Sequence, residues 1–317
     1  MTSTRTALEV IREVETAVPF ALVGPTASGK TEASVELAKR LDAEILLIDS
    51  MTVYRGMNVG TAKPSMGERR GVPHHLVDVA DPSEPFSVAA FQRLAGEAIV
   101  GIGERGRSAL LVGGSGLYYR AVVDELEFPG TDPALRRSFE AQARVLGSPR
   151  LHRRLSDVDP AGALKIEPTN ERRVVRALEV AAMTGRPFSS YAEAWSRYPE
   201  GRVRAAGIKV PVEILRARIE ERARRQLAGG LLEETRRLLE GGAEPLLTAS
   251  QAIGYAEAAE HLAGGITVEE AVEKIVRRTK ALARRQMAWF RRDPRIRWFE
   301  AGSAAEVVDE IEEHLRG

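Results

Sequence analysis

The sequence predicts an α/β fold: a parallel sheet core flanked by helices and interrupted by an all-helical insertion. Three observations predict it. Short, continuously apolar runs occur at 20–24, 44–49, 109–114 and 206–210, as expected of strands buried on both faces. Segments of helical periodicity separate these runs. From about 120 to 200 the strand-like runs stop and helices alone remain.

Taken in order, Phe20 to Gly24 is a short strand ending in glycine, and Thr31 to Leu41 is a helix with Val35 and Ala38 at core spacing. The run from Glu44 to Asp49 is the second strand. A helix from Val88 to Ile102 leads into the strand Ala109 to Gly114. In the insertion, Asp132-Pro133 is a cap followed by proline at the first helical position. Leu135, Phe139, Ala143 and Leu146 follow at helical spacing, and Gly147 stops that helix. Asn170 caps another, with Val174, Leu178 and Ala181 on one face and Gly185-Arg186-Pro187 at its end. After Gly201 the α/β character returns with Ala206 to Val210 and a helix from Val212. The expected domains are therefore an α/β core of 1–119 and 201–317 and a helical insertion of 120–200.

Composition narrows the function. With 317 residues and no cysteine, the chain can form no disulfide, no cysteine-ligated zinc site and no thiol nucleophile. No apolar run approaches the roughly 18 residues of a membrane span. Met1 to Pro19 carries Glu9, Glu13 and Glu15 and lacks an apolar signal segment, so a cytoplasmic location and no membrane partner are expected. The formal charge of +1 alone argues against a polyanionic partner. Yet 39 of the 46 basic residues are arginine, the side chain suited to bidentate phosphate contact, so their arrangement decides.

The most informative motif is Gly24-Pro25-Thr26-Ala27-Ser28-Gly29-Lys30-Thr31, a full match to G-x-x-x-x-G-K-[ST] between a strand and a helix. Glycines let such a loop wrap phosphates with inward N–H groups, and the helix N-terminus adds favourable potential. Lys30 supplies a point charge and Thr31 a hydroxyl for Mg²⁺. The ligand could be a nucleoside triphosphate or a diphosphate ester. Asp49, ending the second apolar run, should project near Lys30 as a metal ligand, a cap or a general base. No acidic residue follows the third run at Gly113-Gly114-Ser115-Gly116. That weakens a plain nucleotidase and leaves a kinase of small metabolites open.

Beyond the loop, an ordered series of blocks resembles one family. Asp49-Ser50-Met51-Thr52-Val53-Tyr54-Arg55-Gly56-Met57-Asn58-Val59-Gly60-Thr61-Ala62-Lys63-Pro64 is followed by Pro73-His74-His75-Leu76-Val77-Asp78 and Leu111 to Tyr118. Arg172 to Val180, Arg218-Ile219-Glu220-Glu221-Arg222, Ile253-Gly254-Tyr255 and Thr279 to Arg291 continue it. Together with the phosphate loop these resemble the tRNA dimethylallyltransferase (isopentenyltransferase) family over about 20–300. Thr52 stands where many members carry Gln, and Ser115 where Thr is commoner. The absence of cysteine excludes the zinc finger that eukaryotic members often append and matches the bacterial type. Family precedent implies a P-loop NTPase-like core and a monomer.

The resemblance implies transfer of a dimethylallyl group from dimethylallyl diphosphate to N6 of the adenosine following the anticodon, with tRNA recognised through its anticodon stem-loop. It implies that Gly24 to Thr31 hold the diphosphate, that Lys30 and Arg222 stabilise the leaving oxygens, and that Asp49 is the general base. Thr26 would lie near the allylic portion, and Thr31 would ligate Mg²⁺ as cofactor. No Asp-Asp pair occurs in the chain, so the loop must do what acidic clusters do in other prenyl-diphosphate enzymes. Arg218, Arg222 and Arg225 lie at i, i+4 and i+7, on one helix face; a solvated face would share that pattern.

For the RNA, the resemblance implies contacts from Asp49, Ser50, Met51, Thr52 and Ser115, from Arg136, and from Arg172, Arg173, Val174, Val175 and Arg176. It also implies contacts from Ser250, Gln251, Ala252, Ile253, Gly254 and Tyr255. Near the C-terminus, Lys274 to Arg297 contains ten basic residues and only Asp293 acidic. There Ile275, Leu282 and Trp289 form an apolar stripe, and Arg277, Arg284 and Arg291 lie about 200° around the helix from it. Arg278, Lys280, Arg284 and Arg285 are the expected phosphate contacts. The adjacent His74 and His75 read as structural, and Tyr118, Tyr119, Trp289 and Trp298 as core.

Overall fold

The structure, a computed structural model, describes residues 18–84, 86–124, 126–241 and 252–317. The chain folds into two compact units, Met1–Asp124 with Pro199–Gly317, and Glu125–Tyr198.

The first unit is built on six parallel strands among the described residues: β1 (Phe20–Val23), β2 (Ala43–Leu47), β3 (His74–His75), β4 (Ser108–Gly113), β5 (Arg204–Lys209) and β6 (Ile296–Glu300), in the order β3-β2-β4-β1-β5-β6. Alternate residues of β1, β2, β4 and β5 feed two cores. Ala21, Val23, Leu46, Leu111 and Ala205 belong to one; Leu22, Ile45, Leu110, Val112 and Ala206 belong to the other. Burial on both faces is why these strands are continuous apolar runs rather than alternating ones. Truncating a fully buried residue such as Leu22 to Ala would cost about 2–5 kcal/mol.

Helices cover both faces. On the second core pack α1 (Lys30–Arg40) and, at the C-terminal end of the chain, Ile311 and Leu315. On the first pack α2 (Val88–Glu104), α3 (Gly116–Val123) and the long α4 (Val268–Phe290), through residues such as Phe91, Ile99, Val122 and Ile275. The chain leaves the α/β unit after Asp124, not after residue 119, because α3 continues into the sheet core as far as Val122 and Val123.

β1 lies between β4 and β5, with Val23 level with Gly113 on one side and Gly207 on the other. Leu47 of β2 is level with Val112. The segments following β1, β2 and β4 therefore emerge at one edge of the sheet, outside the carboxyl ends of the strands, where open α/β sheets bind ligands.

The regular elements among the second unit's described residues are all helices. Asp132 accepts from the backbone N–H groups of Ala134 and Leu135 to start the helix Pro133–Leu146, and Asn170 accepts from Arg173 to start Glu171–Thr184. Phe139, Ala143, Leu151, Leu155, Val174 and Leu178 form its own core. None of the helices among the described residues is long and apolar enough to cross a membrane.

Candidate active site

The loop after β1 is shaped by its glycines. Gly29 adopts φ +86°, a left-handed conformation, at the entry to α1, where a side chain would be strained. At Gly24 a Cβ would lie 2.7 Å from the carbonyl oxygen of Ile208, so the loop can hug β5 only with glycine there. Lys30 folds back over the loop: its Nζ donates to the Pro25 carbonyl at 2.7 Å and to Ser28 Oγ at 3.3 Å. Burial, with the repulsion of Arg222, lowers its pKa to about 7 against the opposing pull of Asp49.

These groups line a cleft of about 630 Å³. Thr26 to Thr31 form its floor, Asp49, Thr52 and Gly113-Gly114 one wall, and Arg218, Arg222 and Arg225 another. The three arginines at i, i+4 and i+7 come from the helix Val212–Gln226 and all face this cleft. Arg222 donates to Thr26 Oγ1 at 3.3 Å, and its burial lowers its pKa while Asp49 opposes that shift. Arginine nonetheless stays charged. The Asp49 carboxylate accepts from the backbone N–H of Met51 at 2.8 Å and more weakly from that of Thr52. This fixes the turn after β2 and points the carboxylate into the cleft.

A second cavity, about 330 Å³, adjoins the first. Thr26, Asp49, Thr61, Arg222, Gln226 and Gln286 line both. The second alone is lined by Ser50, Met51, Ala252, Ile253, Arg278 and Arg285. The first compartment joins the Thr26–Thr31 loop to charged side chains of both signs, and the second mixes apolar and basic side chains; Asp49 lines both.

The expected RNA contacts lie in different surroundings, and those at Val174 and Val175 require correction. Val174 and Val175 are buried in the core of the helical unit, so their side chains offer nothing to a partner. Arg136 and Arg176 are committed to the fully buried Glu179, at 2.7 and 2.9 Å. Arg176 also caps the carbonyls of Pro129 and Gly130. Burial pushes the Glu179 carboxyl up, but the hydrogen bonds from Arg176 and Arg136 outweigh it and the net shift is downward. By contrast, Arg172 and Arg173 are exposed.

In the α/β unit Ala252, Gly254 and Tyr255 are buried. The Tyr255 hydroxyl donates to Glu234, and the Gly254 N–H donates to Glu257. Ser250 and Gln251 lie outside the described residues. Thr52 is buried against the first cleft, its hydroxyl without a hydrogen-bond partner, instead of facing the second cavity. Ser115, half-buried at the start of α3, donates its backbone N–H to the Ile48 carbonyl. Arg278 pairs with Glu257 at the second cavity. Lys280 and Arg284 lie instead in a separate groove with Arg224 and Arg277. The histidines are structural: the His74 Nδ1 lies 2.8 Å from the Val72 carbonyl, and the His75 Nε2 lies 2.7 Å from Glu44.

Two site residues are not among those the sequence singles out. Glu234 accepts from the N–H groups of Asn58, Val59 and Gly60 and so holds the segment that closes one side of the cleft. Gln286 accepts from the Thr26 N–H at 2.8 Å. Its signal in the sequence is a polar residue inserted into the Leu282–Trp289 apolar stripe, at i+4 from Leu282. The signal for Glu234 is weaker, a single carboxylate on a charged helix.

A parallel sheet with the Gly24–Thr31 loop between an inner strand and a helix, and with cavity-lining residues gathered at the carboxyl edge, is a core of the P-loop NTPase-like class. The IPP transferase family model matches residues 52–293, and the isopentenyl transferase model matches 18–78. The chain is 47% identical over 300 residues to a tRNA dimethylallyltransferase of Desulforudis audaxviator, covering 92% of this chain and 97% of that one. It is 49% identical to one of Kineococcus radiotolerans, covering 91% and 92%. The structure is similar to that of the tRNA isopentenylpyrophosphate transferase of Bacillus halodurans (TM-score 0.67, 40% identity, 94% of this chain and 96% of that one). It is also similar to a eukaryotic dimethylallyltransferase acting on tRNA (TM-score 0.77, 25% identity, 92% and 76%). The chain belongs to the tRNA dimethylallyltransferase family and is a prenyltransferase. This membership favours prenyl transfer over the kinase alternative.

Proposed function

We propose that this chain transfers the dimethylallyl group of dimethylallyl diphosphate to N6 of adenosine-37, next to the anticodon of tRNA, releasing diphosphate. The observation that carries the reading is the meeting of two compartments at Thr26, Asp49, Arg222 and Gln286. A donor in the first and an extruded base in the second would approach one another there. An adenine buried in a stem-loop must leave its stack to expose N6, and loop nucleotides do so at least cost.

In the reaction the N6–C bond to the allylic carbon forms as the carbon–oxygen bond to diphosphate breaks. The electron pair leaves with the diphosphate, and one N6 proton passes to the Asp49 carboxylate. Lys30, the loop N–H groups, Ser28 and Arg222 stabilise the charge that develops on the leaving oxygens.

The donor set suits Mg²⁺ bound chiefly through the substrate. The Thr31 hydroxyl and the Asp49 carboxylate line the cleft, and the described residues contain no group of three or more metal-binding side chains. Such a site matches the preference of Mg²⁺ for phosphate oxygens, water and few protein ligands. When bound through Thr31, Mg²⁺ would neutralise diphosphate charge.

RNA is proposed to approach over Ser50, Met51, Ile253, Arg278 and Arg285, with Lys280 and Arg284 and the exposed Arg172 and Arg173 meeting phosphates. The location is proposed to be the cytoplasm and the protein a monomer. The test is incubation with isotopically labelled dimethylallyl diphosphate and unmodified tRNA, followed by nucleoside mass analysis. Label is expected on adenosine; label confined to free prenyl alcohol would refute acceptor chemistry.

A further inference from the structure

We propose that Gln286 is a positioning residue that couples the acceptor compartment to the phosphate loop; this rests on the assignment of the two compartments above. Gln286 lies on α4 in the series Ile275, Thr279, Leu282, Gln286 and Trp289, with spacings of 4, 3, 4 and 3, which is one helix face. At both ends of the series the face is apolar, with Ile275 in the core. At Trp289 the ring lies where a Cβ on Gly116 would sit, 2.2 Å from it. At Gln286 the same close approach occurs to Gly114, where a Cβ would lie 2.3 Å from the amide nitrogen. Glycines at 114 and 116 thus let α4 seat against the segment after β4 and carry the Gln286 amide down to the reaction centre.

The carboxamide is oriented by its partners. Its oxygen accepts from the Thr26 N–H at 2.8 Å, so its nitrogen is the end that faces Gly114. The Thr26 hydroxyl in turn accepts from Arg222. The resulting chain, Gln286 to Thr26 to Arg222, spans the boundary that both cavities share. One helical turn before Gln286, Leu282 lines the second cavity, as do Arg278 and Arg285 on the same helix. A shift of α4 produced by an acceptor held against those residues reaches the loop through this hydrogen bond. With the bond intact, Thr26 keeps the backbone geometry that presents the loop to diphosphate. Gln286 therefore acts through Thr26, not on the reacting atoms.

Two consequences separate this role from mere packing. In the unaltered protein, an anticodon stem-loop RNA should tighten the binding of inorganic diphosphate. In Gln286→Met, of similar size but without the acceptor, that tightening should vanish. The loss of one such hydrogen bond should raise KM for the prenyl donor by about tenfold at most, with a smaller change in kcat. Gly114→Ala offers an independent route, because its methyl group would displace the Gln286 amide. In a double-mutant cycle with Gln286→Met the two changes should be strongly non-additive.

The experiment is isothermal titration of diphosphate into the full-length protein, with and without the stem-loop RNA, for the unaltered protein, both single variants and the double variant, alongside prenyl-transfer kinetics. Coupling present in the unaltered protein and absent in both single variants is the expected result. Coupling that survives in Gln286→Met, additive effects in the cycle, or no coupling in the unaltered protein would overturn the proposal. Failure of the unaltered protein to prenylate RNA at all would instead overturn the assigned function.

Discussion

Arg222 and Arg176 both sit in arginine-rich helices, yet the fold puts their charges to opposite uses. Arg176, with Arg136, satisfies Glu179, a carboxylate with 0% exposure. Arg222 donates to a neutral hydroxyl, that of Thr26, and its charge faces a cleft that also holds Lys30. In the helical unit these two cations are held by one buried anion. In the α/β unit Lys30 and Arg222 repel one another and are both buried, with Asp49 opposing the repulsion, an arrangement that costs stability and suits an anionic ligand. Arginine density therefore says little about function until the buried acids are located.

The largest effects should come from the α/β side. Asp49→Asn should lower the transfer rate by about 10²–10⁴-fold with an unchanged melting temperature, read by single-turnover assay. Arg222→Gln should lower it by about 10²–10³-fold; equal activity would break the contrast with Arg176. Lys30 sharpens it through pH. Its folded pKa of about 7 lies below the ordinary 10.5, so the unfolded chain holds the proton over that interval. Its burial thus opposes folding most below pH 7, and the penalty fades as pH rises from 7 to 10.5. Binding of diphosphate runs the other way. It requires the charged ammonium and should weaken above pH 7 by up to about tenfold per pH unit, a slope that Lys30→Met should abolish in titration calorimetry.

On the helical side the expected losses are of stability. Arg176→Ala should cost about 1–3 kcal/mol in denaturant unfolding, because it leaves Glu179 half-compensated and two carbonyls without a donor. The smallest effect belongs to the exposed pair. Arg172→Ala with Arg173→Ala should leave stability unchanged and reduce the slope of RNA affinity against salt by about 1–2. A stability loss there, or none at Arg176, would erase the distinction.

The sequence makes the strands at 20–24, 44–49, 109–114 and 206–210 legible because burial on both faces leaves continuous apolar runs. It hides β3, which is two histidines long, and β6, whose Ile-Arg-Trp-Phe-Glu mixes charge with apolar residues at an edge of the sheet. The phosphate loop is legible from local spacing alone, and Asp49 and the Arg218–Arg222–Arg225 stripe from local spacing together with the family resemblance. Glu179, Glu234 and Gln286 are not, because each depends on a distant partner: Arg136 lies 43 residues from Glu179, Val59 175 from Glu234 and Thr26 260 from Gln286. Val174 and Val175 show the converse: a motif can include residues that only pack its helix.

The central claim is that the two compartments bring an allylic diphosphate and an RNA adenine together at Asp49. It is tested most directly by mass analysis of nucleosides from tRNA treated with the protein and dimethylallyl diphosphate, beside the same tRNA treated with Asp49→Asn. One added dimethylallyl group on N6 of the adenosine next to the anticodon, formed rapidly by the unaltered protein and barely by the variant, is the predicted result. Unmodified tRNA in both samples, or equal modification in both, would contradict it.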